Sequence, residues 1–263
     1  MRPELFSILG VTFFAYRTML GLSFVVCSLL MARESRRPGR VELSPLIGVW
    51  AMLGALLGAR IFYVIQYEGL SRILRALYVW DGGLVFYGGL IGGLAAVWAH
   101  LRVNRAPVLA SFDVMSPFLA LGEAITRIGC FLNGCCFGEP SSLPWAVAFP
   151  SPGFAVEAQR EAGLLDANAV ASLPVHPTQL YMTVGLVAVF AVLLRRLRKG
   201  PWNGSVFTMY LLLYGVVRFV VEILRGDSAR SVFGMTVSQA ISLGLVVAAG
   251  IVFAARRTRK VRP

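Results

Sequence analysis

The chain alternates long apolar runs with short polar segments in which Arg, Pro and Gly gather. Seven runs approach the roughly 20 residues that a helix needs to cross the hydrocarbon core of a bilayer. They lie at about 10–31, 45–66, 83–101, 114–132, 178–195, 204–224 and 235–255, and each predicts one helix. Connectors are short except for the segment at about 133–177. It holds prolines at 140, 144, 150, 152, 174 and 177 and ordinary amphipathic material around Glu157–Leu165. That composition suits a small head outside the membrane better than an eighth span, and a loop of such length leans towards function. The expected fold is all-α: one polytopic membrane domain over residues 1–263, with seven helices and an extracytoplasmic head between helices four and five.

Composition strengthens the membrane reading. Hydrophobic residues make up 57% and charged residues 14% of the chain, with a mean hydropathy of +0.72, against about 25% charged in soluble proteins. A net charge of +12 could suggest nucleic acid, but the basic residues cluster at the ends of the runs. Arg33, Arg36, Arg37, Arg40, Arg102, Arg105, Arg195, Arg196, Arg198 and Lys199 fall on one side. Arg256, Arg257, Arg259, Lys260 and Arg262 join them there, in a basic tail at 256–263. The other side holds only Arg2, Arg72, Arg75, Arg160, Arg225 and Arg230. This bias serves topology and contact with anionic lipid, so no nucleic-acid partner is expected. It places the N-terminus outside and the C-terminus in the cytoplasm. Basic residues follow the first run rather than precede it, which argues against a cleaved signal peptide.

Four arginines interrupt the runs: Arg17, Arg60, Arg127 and Arg218. A charge at membrane depth is expensive and marks a functional position with a partner to be found. Arg17, beside Tyr16, suits an interfacial snorkelling pair. Arg60, Tyr63 and Tyr67 share a helix face. Glu123 stands four residues before Arg127, the favourable order for an ion pair, and Tyr214, Arg218, Glu222 and Arg225 line one face of another helix. Two such helices facing each other would form a cationic pocket for an anionic lipid head group. Arginine stays charged, binds phosphate with two parallel hydrogen bonds and would stabilise a phosphate as it leaves. A structural network or an anion path would use the same residues.

The glycine pairs at 82–83, 88–89 and 92–93 suit close helix packing or a bare surface beside a ligand. Asp81 is placed to cap the helix that follows. His176 precedes a proline at a helix start, where a hydrogen-bonded cap is commoner than a base. Cys130, Cys135 and Cys136, three of the four cysteines, could line a turn, form a disulfide from Cys130 to one of the pair, or serve as reactive thiols. With no neighbouring histidine and no fourth ligand, the spacing argues against zinc; no metal or cofactor is expected. Cys27 reads as inert packing.

Several motifs occur in one order: Trp80-Asp81-Gly82-Gly83, Tyr87-Gly88-Gly89, Arg127-Ile128-Gly129-Cys130-Phe131-Leu132-Asn133-Gly134, His176-Pro177-Thr178-Gln179-Leu180-Tyr181, and Tyr214 through Arg218 to Glu222. Together they resemble the prolipoprotein diacylglyceryl transferases of bacteria, with weaker matches at Tyr16, Gly58-Ala59-Arg60 and Ser238-Gln239. The resemblance implies a multi-pass enzyme of the inner membrane with seven spans and its N-terminus outside. It would move the diacylglyceryl group of phosphatidylglycerol to the lipobox cysteine thiol of a prolipoprotein, releasing glycerol phosphate. Phosphatidylglycerol, prolipoprotein signal peptides and membrane lipids would be its partners. By position, Arg127 and Arg218 would hold the phosphate and stabilise its departure, and Tyr87 would be a third catalytic position. Tyr16, Arg60, Asn133, Gly138, Tyr214 and Glu222 would shape the head-group site, and His176 would order the loop end. The chain departs from the family pattern at Tyr87 (usually histidine), Cys130 (asparagine), Cys135 (glutamate) and Met182 (glutamate). Thiol activation would then fall to a phenolate steadied by arginines, or to the cationic pocket itself. A diverged relative that only binds or transports anionic lipid would carry the same pocket.

Overall fold

The computed structural model describes residues 4–8, 11–78, 82–200, 203–227, 230–232 and 234–261. Arg2, Trp80, Asp81 and Arg262, singled out above, lie outside the described residues. A hairpin of β1 (Glu4–Ile8) and β2 (Val11–Phe14) leads into α1 (Ala15–Ser35). Next comes α2 (Leu46–Tyr63), continued by a wider π turn over Val64–Glu68 and a short tight helix over Leu70–Leu77. Then follow α3 (Phe86–Val103), α4 (Val108–Asn133), the short α5 (Phe154–Glu161), α6 (Thr178–Lys199) and α7 (Ser205–Ile223). A second hairpin of β3 (Arg230–Val232) and β4 (Met235–Thr236) precedes α8 (Val237–Val261).

Among the described residues, six helical stretches are long and apolar enough to cross a membrane: Ala15–Ser35, Leu46–Glu68, Val108–Asn133, Thr178–Lys199, Ser205–Ile223 and Val237–Ala255. The helix expected at 83–101 forms as α3 but does not reach that standard. Four glycines, His100 and Arg102 dilute its apolar content. The first apolar run is also divided. Its opening residues form β2, because β-branched and aromatic side chains at 11–14 suit a pleated strand, and the helix begins only at Ala15. At the other end, α8 runs on through the basic segment to Val261. Outward faces are apolar: Leu29, Val184, Val220 and Ile251 are each more than half exposed. Surfaces of that kind are costly in water and natural against acyl chains.

The chain divides into two compact units, one from Met1–Ser23 with Ser116–Pro263, the other Phe24–Met115. In the second, α2 and α3 touch through glycine. A Cβ on Gly92 would collide with the carbonyl oxygen of Gly54, and one on Gly58 with that of Gly88. Gly89 and Gly93 lie against Ala55, so these glycines serve helix packing. Arg60, only 3% exposed at its side chain, donates to the Gly82 carbonyl, lies 5.2 Å from the centre of the Tyr63 ring and reaches Glu68 at 3.8 Å. It ties the turn ahead of α3 to α2.

In the first unit, Gly185 of α6 meets Val217 of α7, and Gly215 of α7 meets Val246 and Ser242 of α8. Gly129 of α4 lies against Met19 and Tyr16 of α1. The long loop folds into a head with its own core of Phe137, Phe149, Ala155 and Val175. Short antiparallel bridges pair Val147 with Val175 and Pro150 with Ala171. Gln159 of α5 accepts a hydrogen bond from the Leu173 amide at 2.8 Å, closing the head.

Candidate active site

The C-terminal ends of α4 and α7 converge with the N-terminal ends of α1, α6 and α8. On α4, Arg127 pairs with Glu123 one helical turn back, Nη2 to Oε1 at 2.8 Å. On α7, Arg218 pairs with Glu222 one turn ahead, Nη2 to Oε2 at 2.9 Å. The two guanidinium side chains are only 16% and 13% exposed. Arg127 and Arg225 both lie within electrostatic range of Arg218, and the Tyr214 hydroxyl interacts with Glu123, Arg127 and Arg218 together. Both helices therefore present their arginines to one place.

Charge there is balanced rather than in surplus. Arg127, Arg218 and Arg225 each have a carboxylate partner in Glu123, Glu222 and Asp227. Anion binding would draw on free N–H donors and not on excess charge. Glu123 accepts from Nε and Nη2 of Arg127, while Ser238 accepts from Nη2 of Arg218 and Glu222 faces the same nitrogen as an ion-pair partner. Among the described residues, Nη1 of each five-donor fork makes no hydrogen bond and could meet an anion.

Glu222 is the hub of the α7 half, with a side chain at 0% exposure. One oxygen serves Arg218 at 2.9 Å and Arg225 at 3.6 Å. The other accepts the Thr236 hydroxyl at 3.0 Å. Thr236 also starts α8 with a reciprocal cap: its hydroxyl accepts the Gln239 amide at 3.1 Å, and its own amide donates to Gln239 Oε1 at 2.9 Å. Sequence reasoning did not single out Thr236. The signal was present as Thr236-Val237-Ser238-Gln239 ahead of an apolar run.

The three cysteines arise from how α4 ends. Gly134, at φ +74°, takes the left-handed conformation that glycine tolerates. Its amide bonds to Phe131 O at 3.2 Å, and the Cys135 amide to Cys130 O at 3.2 Å. That pair of bonds defines a Schellman end, which sets residues five apart side by side. Cys130 and Cys135 occupy those positions. Cys136, at φ +62°, adds its sulfur, and the three Sγ atoms lie within 4.8 Å of one another. All are free thiols. Gln179 and Thr178, opening α6, donate to the carbonyls of Cys135 and Cys136 at 2.7 Å each. Hydrogen bonding from Cys130 and Cys135, together with the charges of Arg225 and Arg127, holds the Cys136 thiol well below the usual range despite its burial.

The other expected residues take distinct places. Tyr16 lies in electrostatic range of the three thiols and Arg127, and the Asn133 side chain lies close to the Cys135 thiol. Gly138 donates its amide to His176 O at 2.9 Å; a Cβ there would press on His176 and on Leu224 O. His176 contacts the Tyr181 hydroxyl through Nδ1 at 3.3 Å, and Trp145 donates to that hydroxyl at 2.7 Å. Arg60 and Tyr87 belong to the unit Phe24–Met115, where Tyr87 is exposed at the start of α3. Met182 is buried within α6, Cys27 is partly buried in α1, and Arg17 holds its guanidinium 5.1 Å from the centre of the Phe14 ring.

A family model described as prolipoprotein diacylglyceryl transferase matches residues 3–255. A phosphatidylglycerol–prolipoprotein diacylglyceryl transferase of Clostridium tetani is 32% identical over 99% of this chain and 100% of its own length. Proteins of the same description from Finegoldia magna (30% identical, 92% of this chain, 91% of theirs) and Mannheimia succiniciproducens (32%, 93% and 87%) are similar across nearly all of it.

Proposed function

The chain belongs to the prolipoprotein diacylglyceryl transferase family, and we infer from this that it transfers the diacylglyceryl group of phosphatidylglycerol to prolipoproteins. The acceptor is the lipobox cysteine thiol and the released product is glycerol phosphate. Arg127 and Arg218 supporting one place from two helices is the observation that carries the residue assignment.

The lipid phosphate is held by the N–H edges of Arg127 and Arg218 that their glutamates leave open. Glu123 and Glu222 fix the forks, and Tyr214 spans the two. As the acceptor sulfur attacks the glyceryl carbon, charge builds on the departing phosphate. Preorganised donors stabilise that charge without reorganising. Tyr16, Asn133 and Gly138 shape the head-group surround, and His176 orders the loop that covers it. Arg60 acts by fixing the turn ahead of α3, and Tyr87 presents its hydroxyl at that helix's start. The basic bias puts the N-terminus outside and the C-terminus in the cytoplasm of a bacterial inner membrane, with α3 as a seventh span and the head at about 133–177 extracytoplasmic.

The reading is tested with protein reconstituted in phosphatidylglycerol vesicles carrying a label in the diacylglyceryl group. A lipobox peptide should acquire the label, and its Cys→Ser version should not. Retained phosphatidylglycerol binding without any transfer would make this a lipid-binding relative instead.

A further inference from the structure

The phosphate grip leaves one constellation unused. Cys130, Cys135 and Cys136 present three free thiols whose sulfurs lie within 4.8 Å of one another. Contact between the first two is ordinary at a helix end of this kind. The third is not, because Cys136 adopts a left-handed conformation (φ +62°) that is unfavourable for any residue with a Cβ. The backbone beneath is clamped from α6 by Thr178 and Gln179, so the sulfurs are held together by the fold.

We propose that Cys130, Cys135 and Cys136 bind one zinc ion whose fourth position is left open for the lipobox cysteine thiol of the prolipoprotein. The second half of this statement rests on the transferase reading; the first does not. Zinc binds thiolates at about 2.3 Å in tetrahedral geometry, spacing the sulfurs at roughly 3.8 Å. The trio need close by no more than about 1 Å to hold the ion at that spacing. The missing fourth protein ligand, which argued against zinc from spacing alone, is what a catalytic site requires: three protein ligands and one open position. Zinc has no redox chemistry of its own and would not oxidise the thiols around it.

The open position answers a need of the reaction. The acceptor thiol must become a thiolate, and a thiol on zinc is deprotonated outright. The chain has two histidines: His100 lies beside the Trp50 ring, and His176 is engaged with Tyr181. Carboxylates Glu123 and Glu222 are held in ion pairs. Arg127 lies in electrostatic range of Cys136, so a sulfur on the zinc would stand close to the phosphate grip. In the step, the lipobox thiol replaces a zinc-bound water and its proton passes to solvent. The sulfur then forms a bond to the glyceryl carbon, and that carbon's bond to the phosphate oxygen breaks, the electron pair leaving with glycerol phosphate. The neutral thioether is a weaker ligand and departs.

The test uses full-length protein in detergent with a phosphine reductant, stripped of metal and titrated with Co(II) as a coloured substitute for zinc. About one cobalt per chain should bind, with thiolate charge-transfer bands in the near ultraviolet and tetrahedral bands in the visible, as a site with three sulfur ligands demands. Zinc should displace it. Cys136→Ser and Cys130→Ala should each weaken binding at least tenfold, in variants whose melting matches that of the metal-free wild type. A lipobox peptide should shift the visible bands, and its Cys→Ser version should leave them unchanged. Absence of stoichiometric binding, binding that survives both substitutions, or a metal-free protein that transfers at full rate overturns the proposal. Cobalt bound with bands unmoved by the peptide overturns the open position. Bands that shift with the peptide, without any transfer from phosphatidylglycerol, uphold the metal site and sink the transferase reading instead.

Discussion

Thr236 donates its hydroxyl to Glu222 at 3.0 Å, joining the first turn of α8 to the carboxylate that holds Arg218. The same hydroxyl caps α8. One oxygen thus couples helix termination to the geometry of the Glu222–Arg218 pair. Thr236→Val should cost about 1 kcal/mol of cap stability and about 1.5–3 kcal/mol for the lost bond to a buried charge. Transfer should fall at least tenfold while Thr236→Ser stays near wild type, as measured by label transfer to a lipobox peptide.

Arg127→Ala and Arg218→Ala should each reduce transfer by at least about a hundredfold, the usual loss for a preorganised donor to developing charge. Lysine at either position keeps the charge and loses the fork. Arg127→Lys should therefore retain phosphatidylglycerol binding better than it retains turnover. Equal losses in both would argue that charge alone is used.

His176 meets the Tyr181 hydroxyl and its carbonyl accepts from Gly138, so its substitution should read as a structural defect. His176→Asn is expected to lower the melting temperature and expose the head at about 133–177 to protease. The pH profile of the remaining activity should keep its shape. A profile that loses its rising limb would assign His176 a proton instead.

Gly92→Leu should destabilise the α2–α3 contact by about 1–3 kcal/mol, since the new side chain meets the backbone of Gly54 and Gly58. Gly244→Ala, with open space around the added Cβ, should be silent. A thermal melt of both variants in detergent separates the two cases.

The helices were legible because burial in lipid demands long apolar runs, and such runs show in any sequence. The two arginine–glutamate pairs were legible for a similar reason: residues four apart must meet on a helix. What stayed hidden depends on backbone turns. Val11–Phe14 continues the apolar run of α1, and nothing in hydropathy separates a strand from the helix that follows it. The meeting of three sulfurs required Gly134 and Cys136, on either side of Cys135, both to turn left-handed past the helix end, which spacing alone does not announce. Thr236 lay hidden because its partner Glu222 stands in another helix, across a hairpin. Charge balance around Arg218 was missed as well, since Asp227 closes on Arg225 beyond the helix.

Arg127 and Cys130 ride within the last two turns of the same helix, three residues and about 4.5 Å of rise apart. That turn works as a gauge whose length is set by backbone geometry and by nothing in the surrounding lipid. When α4 tilts to match a thinner or thicker bilayer, both ends of the gauge tilt with it. Host lipids of different acyl length would then alter how quickly substrates arrive, while the backbone separation of Arg127 and Cys130 stays constant.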